Sequence, residues 1–180
     1  MAERSSHTGE DIKRILVTGP ESAGKTELAN YLGEYLNGRV IPEYARTYIE
    51  RLDRSYTFED VVRIAERQVL DFHRMTKGDK VVIFDTWLVI SKVWFEVVFN
   101  RYPKWIDREL RDASFDVVLV CAPDIPWEPD PVRENGGEQR EMLYRRYLDE
   151  LDRLGWRHAI ITGTGPERFE NALENLKGVV

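Results

Sequence analysis

The sequence predicts a doubly wound α/β domain built on a five-stranded parallel sheet. Five short apolar runs recur along the chain, and a segment with helical periodicity follows each of them. β-Branched residues are frequent in these runs, as they are in strands buried on both faces. The 180 residues include 42% hydrophobic and 32% charged residues, which is typical of a folded domain with its own core. We therefore expect a single domain at residues 12–180, preceded by a disordered tail at residues 1–11.

The first strand, predicted at residues 14–18, leads into a glycine-rich loop. Residues 19–26 read Gly-Pro-Glu-Ser-Ala-Gly-Lys-Thr and fit the phosphate-loop pattern G-x-x-x-x-G-K-[ST] at every fixed position. A helical pattern follows and stops at residues 37–38. In this order, backbone N–H groups and the helix N-terminus face bound phosphates. The motif predicts a nucleoside triphosphate site, with Lys25 on the β- and γ-phosphates and Thr26 on Mg²⁺. The residues expected to bind the nucleotide here are Gly19, Glu21, Ser22, Ala23, Gly24, Lys25 and Thr26.

The second strand is predicted at residues 39–42, where a proline ends the ladder pairing. The carboxyl ends of strands border the ligand crevice in an open α/β sheet. Glu43 and Arg46, which follow this strand, are therefore interpreted either as substrate-contacting residues or as a solvated ion pair.

A loop at residues 51–56 precedes a long helix. Residues 57–60 read Thr-Phe-Glu-Asp and predict a capping box with Asp in place of Glu. Arg63, Arg67 and Gln68 fall outside the apolar stripe of this helix. They face either substrate or solvent.

The third strand, at residues 81–84, ends in Asp85. An acidic residue after an apolar strand is the Walker B arrangement, which holds Mg²⁺ directly or through water. The helix predicted at residues 86–99 is apolar on most sides, so it is buried in the core or covered by another subunit, and a homodimer is possible. Trp87 is expected at the mouth of the crevice, where it would stack on a flat ring of substrate. A short helix at residues 103–112 follows.

The fourth strand is predicted at residues 116–122. The segment after it, residues 123–139, is rich in proline, glycine and charge. A long polar loop in a compact domain is usually functional. We interpret it as a lid that closes over phosphates and brings Arg133 or Arg140 to the transferring group, with a solvated loop as the alternative.

A long helix ending at Gly155 leads to the fifth strand, predicted at residues 158–162. Residues 164–167 then predict a capping box for the last helix. Arg168, together with residues 163–165, lies where a loop would touch a nucleotide base. Ordinary helix capping explains these residues equally well.

Composition argues against several classes of protein. The net charge of −6 disfavours a nucleic-acid-binding surface. Cys121 is the only cysteine, so an internal disulfide is impossible, and the scattered histidines offer no zinc spacing. The first residues lack the apolar core of a signal peptide, and the apolar region at residues 87–99 is too short to span a bilayer. We therefore expect no membrane partner and a cytoplasmic location.

From about residue 12 to the C-terminus, the chain resembles the ribosylnicotinamide kinase domain of NadR-type proteins, which has the P-loop kinase fold. The residues that carry the resemblance are Gly-Pro-Glu-Ser-Ala-Gly-Lys-Thr (19–26), Pro-Glu-Tyr-Ala-Arg (42–46), Phe-Asp-Thr-Trp (84–87), Pro-Lys-Trp-Ile (103–106), Pro-Asp-Ile-Pro-Trp (123–127) and Gly-Thr-Gly-Pro-Glu-Arg (163–168). The run at residues 128–133 lacks a glycine that the family tends to carry there.

The resemblance implies ATP-dependent phosphorylation of the 5′-hydroxyl of nicotinamide riboside, which yields nicotinamide mononucleotide for NAD synthesis. ATP and Mg²⁺ are the implied cofactors, and a nucleoside is the implied partner. Glu43 is interpreted as the base or a ribose ligand, and Asp85 as the metal ligand. Lys25, Arg133 and Arg140 would neutralise charge on the transferring phosphoryl group. The candidates for holding the nucleoside are Tyr44, Arg46, Trp87 and Trp127.

Two other functions remain open at this point. A P-loop kinase for another nucleoside or small metabolite would share all of the ATP chemistry. A nucleotide switch resembling GTPase-type regulators is the second alternative, although no Asn-Lys-x-Asp guanine-reading segment occurs in the chain.

Overall fold

Five parallel strands form a single sheet in the computed structural model of the chain, which describes residues 12–74, 78–128 and 137–180. In chain order the strands are β1 (Lys13–Thr18), β2 (Arg39–Ile41), β3 (Val81–Asp85), β4 (Val117–Cys121) and β5 (His158–Ile161). They lie in the order β2-β3-β1-β4-β5, and every neighbouring pair is parallel. The predicted α/β fold with a five-stranded parallel sheet is confirmed.

Helices connect the strands and cover the sheet. They are α1 (Lys25–Tyr35), α2 (Tyr44–Glu50), α3 (Phe58–His73), α4 (Leu88–Trp94), α5 (Trp105–Asp112), α6 (Gly137–Leu154) and α7 (Pro166–Leu176). Helix α4 continues into a π-helical segment at Phe95–Phe99. The short helix α2 was not predicted, because seven residues are too few for a clear helical pattern, and none of them is buried. The predicted tail at residues 1–11 and residues 129–136 of the predicted lid lie outside the described residues.

The sheet is covered on both faces, as its apolar strands predict. Along β1 the side chains alternate, so that Ile15 and Val17 pack with the apolar residues of α1 and α7. Leu16 packs on the opposite face with residues of α3, α4, α5 and α6. Helix α4 packs most of its apolar side chains into that second core. Burial within this chain therefore explains why the helix is apolar on most sides. No helix in the described ranges is long and apolar enough to cross a membrane.

A buried carboxylate connects α2 to α3. Asp60, which is fully buried, accepts hydrogen bonds from two nitrogens of Arg54 at 2.6 and 3.0 Å and from the Tyr48 hydroxyl at 2.9 Å. The Arg54 hydrogen bonds, assisted by those from Thr57, hold the pKa of Asp60 well below its ordinary range. Thr57 and Asp60 also form the predicted capping box of α3. This cluster fixes α2 against α3.

The second predicted capping box, at residues 164–167, is wrong. Helix α7 begins after Gly165, which has no side chain to cap it and whose φ of 53° favours glycine. Pro166 occupies the first helical position, where its missing N–H costs nothing.

Candidate active site

The phosphate loop, residues 19–26, depends on both of its glycines, which have positive φ angles and lie close to neighbouring residues. A Cβ on Gly19, whose φ is 138°, would lie 2.5 Å from the carbonyl oxygen of Cys121. Gly24 has a φ of 72°, and a Cβ there would lie 3.1 Å from the side chain of Ile125. The loop therefore turns tightly between β1 and α1, with the N-terminus of α1 at its end.

Two buried arginines fix the backbone of this loop. Arg140 donates to the carbonyl oxygens of Glu21 at 2.8 Å, Ser22 at 2.9 Å and Ile125 at 2.8 Å. Arg168 donates to the carbonyl oxygens of Ala23 at 3.0 Å and Gly163 at 2.8 Å, and it pairs with the carboxylate of Asp124.

These contacts correct two predictions. Arg140 was expected at the transferring phosphoryl group and Arg168 at the nucleotide base, yet their side chains are only 5% and 2% exposed. Both guanidinium groups donate to backbone carbonyls instead, so each acts as a positioning residue for the phosphate loop. Arg133, the other predicted lid arginine, lies outside the described residues.

Thr26 and Asp85 meet where β3 ends beside the start of α1. The Thr26 hydroxyl donates to Oδ2 of Asp85 at 2.6 Å. The other carboxylate oxygen, Oδ1, is buried and accepts no hydrogen bond from the described part of the chain. Burial raises the pKa of Asp85, although the Thr26 hydrogen bond and the charge of Lys25 oppose that shift.

This pair fits a Mg²⁺ ion. Carboxylate and hydroxyl oxygens are suitable ligands, and an unpaired buried oxygen needs a cation or donor. The described residues contain no group of three or more His, Cys, Asp or Glu side chains that could hold a metal. A Mg²⁺ ion bound through one or two protein ligands, substrate phosphates and water does not need such a group.

Lys25 and Glu43 lie near this pair. The Lys25 ammonium group donates to the Pro20 carbonyl oxygen at 2.8 Å. Glu43, which directly precedes α2, lines the same cavity as Lys25. Burial raises the pKa of Glu43, the charge of Lys25 opposes the shift, and repulsion from Asp85 reinforces it. Two carboxylates therefore lie in the field of one lysine.

One cavity of about 660 Å³ extends from the phosphate loop to an acceptor half between α2, α3 and α4. The side chains that line the acceptor half include Arg46, Tyr56, Gln68, Ser91 and Trp94. The rings of Tyr56 and Trp94 meet edge to face, with centroids 4.9 Å apart. The cavity thus joins a phosphate site to a partly aromatic compartment, an arrangement suited to a nucleotide and a ring-bearing second substrate.

The predicted position of Trp87 is wrong. Its side chain is 2% exposed, its indole N–H donates to the Gln68 carbonyl oxygen at 3.0 Å, and its ring packs against Phe72 and Phe115. Trp94, seven residues further along, lines the cavity instead. Sequence reasoning missed this because the region is apolar on most sides and no polar stripe marks the face that lines a cavity.

The remaining predicted substrate residues divide into two groups. Arg46 lines the cavity, and its Nε donates to Glu50 at 2.9 Å. Tyr44 and Trp127 are not among the described residues that line it, and the ring of Tyr44 lies 5.1 Å from the guanidinium carbon of Arg67. The described start of the predicted lid does reach the phosphate loop, because the backbone N–H of Glu128 donates to the Ser22 hydroxyl at 3.3 Å.

Comparisons with known proteins find relatives of this chain. Residues 14–168 match the model of a family described as AAA domain. The trifunctional NAD biosynthesis/regulator protein NadR of Salmonella typhimurium is 23% identical over 146 residues, which cover 78% of this chain but only 35% of that protein. The predicted resemblance to NadR-type proteins is therefore confirmed.

Solved structures show the same fold. A crystal structure of NadR protein in complex with NR matches with a TM-score of 0.77 at 23% identity, covering 92% of this chain and 50% of that one. A deoxyadenosine kinase from M. mycoides, solved with products dCMP and dCDP, matches with a TM-score of 0.65 at 14% identity, covering 93% of this chain and all of that one. The P-loop kinase fold is therefore confirmed.

Proposed function

This chain belongs to the AAA domain family. We propose that it is an ATP-dependent kinase for the 5′-hydroxyl of nicotinamide riboside. The product would be nicotinamide mononucleotide, a precursor of NAD. The observation that carries the proposal is the single cavity joining the phosphate loop to the wall formed by Tyr56 and Trp94. The likeness to NadR protein, which was solved with NR, supports this choice of acceptor.

The phosphate half of the cavity would bind Mg·ATP. Bound Mg²⁺ supplies charge neutralisation, and Thr26 and Asp85 are the residues that would hold it. Lys25 would exchange its hydrogen bond with the Pro20 carbonyl for phosphate oxygens. Because Arg140 and Arg168 fix the loop backbone, its N–H groups are oriented before the nucleotide arrives.

The acceptor half would hold the nucleoside. A pyridinium ring carries positive charge, and the face of an indole attracts such a cation. We place that ring on Trp94, in the role predicted for Trp87. Glu43 is assigned as the base that accepts the proton of the sugar hydroxyl, because burial favours its uptake of a proton and Asp85 serves the metal.

Replacing Glu43 with glutamine is expected to lower kcat by about 100-fold or more, since general-base catalysis contributes 10²–10⁴-fold. The wild-type rate should rise with pH through the pKa of Glu43, because a base must be ionised to accept a proton. Burial raises that pKa, so the acidic limb should lie above the ordinary glutamate value of 4.5. The measurement is the pH profile of kcat/KM for both proteins. Glu34→Gln, on the exposed face of α1, is the control. If Glu43→Gln keeps the wild-type rate and the wild-type acidic limb, Glu43 is not the base.

Replacing Trp94 with alanine is expected to raise the KM for nicotinamide riboside by about tenfold, from lost stacking and cation–π attraction. The KM for ATP should stay within about twofold, because Trp94 lies in the acceptor half. Tyr35→Ala removes an aromatic ring that is 63% exposed, so it controls for loss of a surface ring. A larger effect on ATP than on the nucleoside would place Trp94 in the nucleotide site.

A kinase for another nucleoside is the second candidate. The match to deoxyadenosine kinase favours this second candidate, because the aligned region covers the whole of the deoxyadenosine kinase chain. Purine and pyrimidine nucleosides would also fit against an aromatic wall. Comparing kcat/KM for nicotinamide riboside, deoxyadenosine and thymidine separates the two candidates.

A further inference from the structure

Gln68 is a buried polar side chain in the acceptor half of the cavity. It lies on α3, lines the cavity and is only 6% exposed. Its side-chain oxygen Oε1 accepts a hydrogen bond from the Ser91 hydroxyl at 2.7 Å, and its backbone carbonyl accepts one from the Trp87 indole at 3.0 Å. Both oxygens of this residue therefore accept hydrogen bonds, and Oε1 rather than Nε2 faces the Ser91 hydroxyl.

The amide nitrogen of Gln68, unlike its two oxygens, has no hydrogen-bond partner among the described residues. Within residues 12–74, 78–128 and 137–180, no group accepts a hydrogen bond from Nε2. Nε2 is not one of the fully buried polar atoms that lack a partner in the described part of the chain, so it remains accessible from the cavity that Gln68 lines. A donor oriented by Ser91 and placed at the cavity wall is suited to an acceptor atom on a ligand.

The position of this donor indicates which part of a ligand it would meet. Ser91 lies three residues before Trp94 on α4, so the two side chains share one face of that helix, and both line the cavity. Gln68, held by Ser91, therefore lies about one helical turn from the indole wall. A ring stacked on Trp94 would present a substituent on its edge to the Gln68 amide.

We infer that Gln68 is a specificity-determining residue that donates from Nε2 to the carbonyl oxygen of an amide substituent on the acceptor's ring, with Ser91 as its positioning residue. The inference rests on the proposed function, in which that group is the carboxamide of nicotinamide riboside. It adds to the proposed function by naming the atom of the base that Gln68 recognises. A nucleoside without a carbonyl in this place leaves the amide nitrogen unpaired and binds more weakly.

The test compares two substrates in wild type and variants. The substrates are nicotinamide riboside and the riboside of unsubstituted pyridine, which lacks the carboxamide. In the wild type, loss of the carboxamide should raise KM by about tenfold, the scale of one buried hydrogen bond. Gln68→Met keeps the side-chain length but removes the donor, so it should raise the KM for nicotinamide riboside by about tenfold and leave that for pyridine riboside within about twofold. The preference between the two substrates should therefore disappear.

Two further variants keep the test decisive. Gln68→Leu also removes the donor and adds no charge or new hydrogen-bonding group, and it should lose the same preference. Ser91→Ala should weaken the preference by about threefold, because the amide is less well oriented. Glu66→Gln, an exposed change on the same helix, is the matched control and should leave both KM values unchanged. Thermal unfolding and the KM for ATP report whether each variant is folded.

The outcomes separate the two proposals. If the wild type phosphorylates both ribosides and the Gln68 variants keep the preference, or lose affinity for both equally, then Gln68 does not read the carboxamide while the proposed function stands. If the wild type phosphorylates neither riboside, then the proposed function is wrong and this inference fails with it.

Discussion

Replacing Lys25 with alanine is expected to lower kcat by about 1,000-fold, because cations placed on a transferring phosphoryl group contribute effects of this size. Among the described residues that line the cavity, only Lys25 and Arg46 carry positive charge. Arg140 and Arg168 already donate to backbone carbonyls of the phosphate loop. Among the described residues, Lys25 is therefore the cation at the phosphate loop that would bind the β- and γ-phosphates.

Steady-state ADP formation at saturating ATP and nucleoside measures this effect. Lys13→Ala is the matched control, since it removes a lysine from the opposite end of β1, where it forms a partly exposed pair with Asp116. That control should retain wild-type kcat. A rate for Lys25→Ala within about threefold of wild type would contradict the assignment of the phosphate site.

Asp85→Asn should have the next largest effect, a loss of about 100-fold in kcat together with about a tenfold higher Mg²⁺ requirement. The substitution keeps the size of the side chain but removes the charge beside Thr26. Because burial raises the pKa of Asp85, protons should compete with Mg²⁺ as the pH falls. The wild-type Mg²⁺ requirement should therefore increase toward acidic pH, whereas that of the variant should not.

Thermal unfolding without ligands distinguishes this loss from misfolding. A carboxyl whose pKa is raised in the folded state carries its charge at a cost to stability at neutral pH. Asp85→Asn removes that charge, so its Tm without nucleotide should equal or exceed that of the wild type. Asp112→Asn, an exposed change at the end of α5, controls for loss of one negative charge. An unchanged Mg²⁺ requirement in Asp85→Asn would exclude Asp85 as a metal ligand.

The fold and the phosphate half of the site could be predicted because local patterns determine them. A strand, a glycine loop and a helix in fixed order place Lys25 and Thr26 without knowledge of distant contacts. Asp85 follows from sheet geometry, since parallel neighbours end at the same edge and Val17 pairs directly with Asp85. The structure places Thr26 and Asp85 in hydrogen-bond contact, and their part in binding metal remains a prediction.

The acceptor half could not be predicted in the same way. Trp87 and Trp94 both belong to one apolar region, and only the packing of α3 against α4 decides which of them is buried. Arg140 and Arg168 reach carbonyls more than 100 residues away in the chain, at Ser22 and Ala23. No local spacing signals such contacts, so both arginines were placed at the ligand when they in fact hold the loop.

The most direct test of the proposed function is ADP formation from Mg·ATP with nicotinamide riboside, against a blank without acceptor. We predict turnover of about 1–100 s⁻¹, the usual range for kinases, with nicotinamide mononucleotide formed in equal amount to ADP. Slow ADP formation at the same rate with and without nicotinamide riboside would contradict the proposed acceptor.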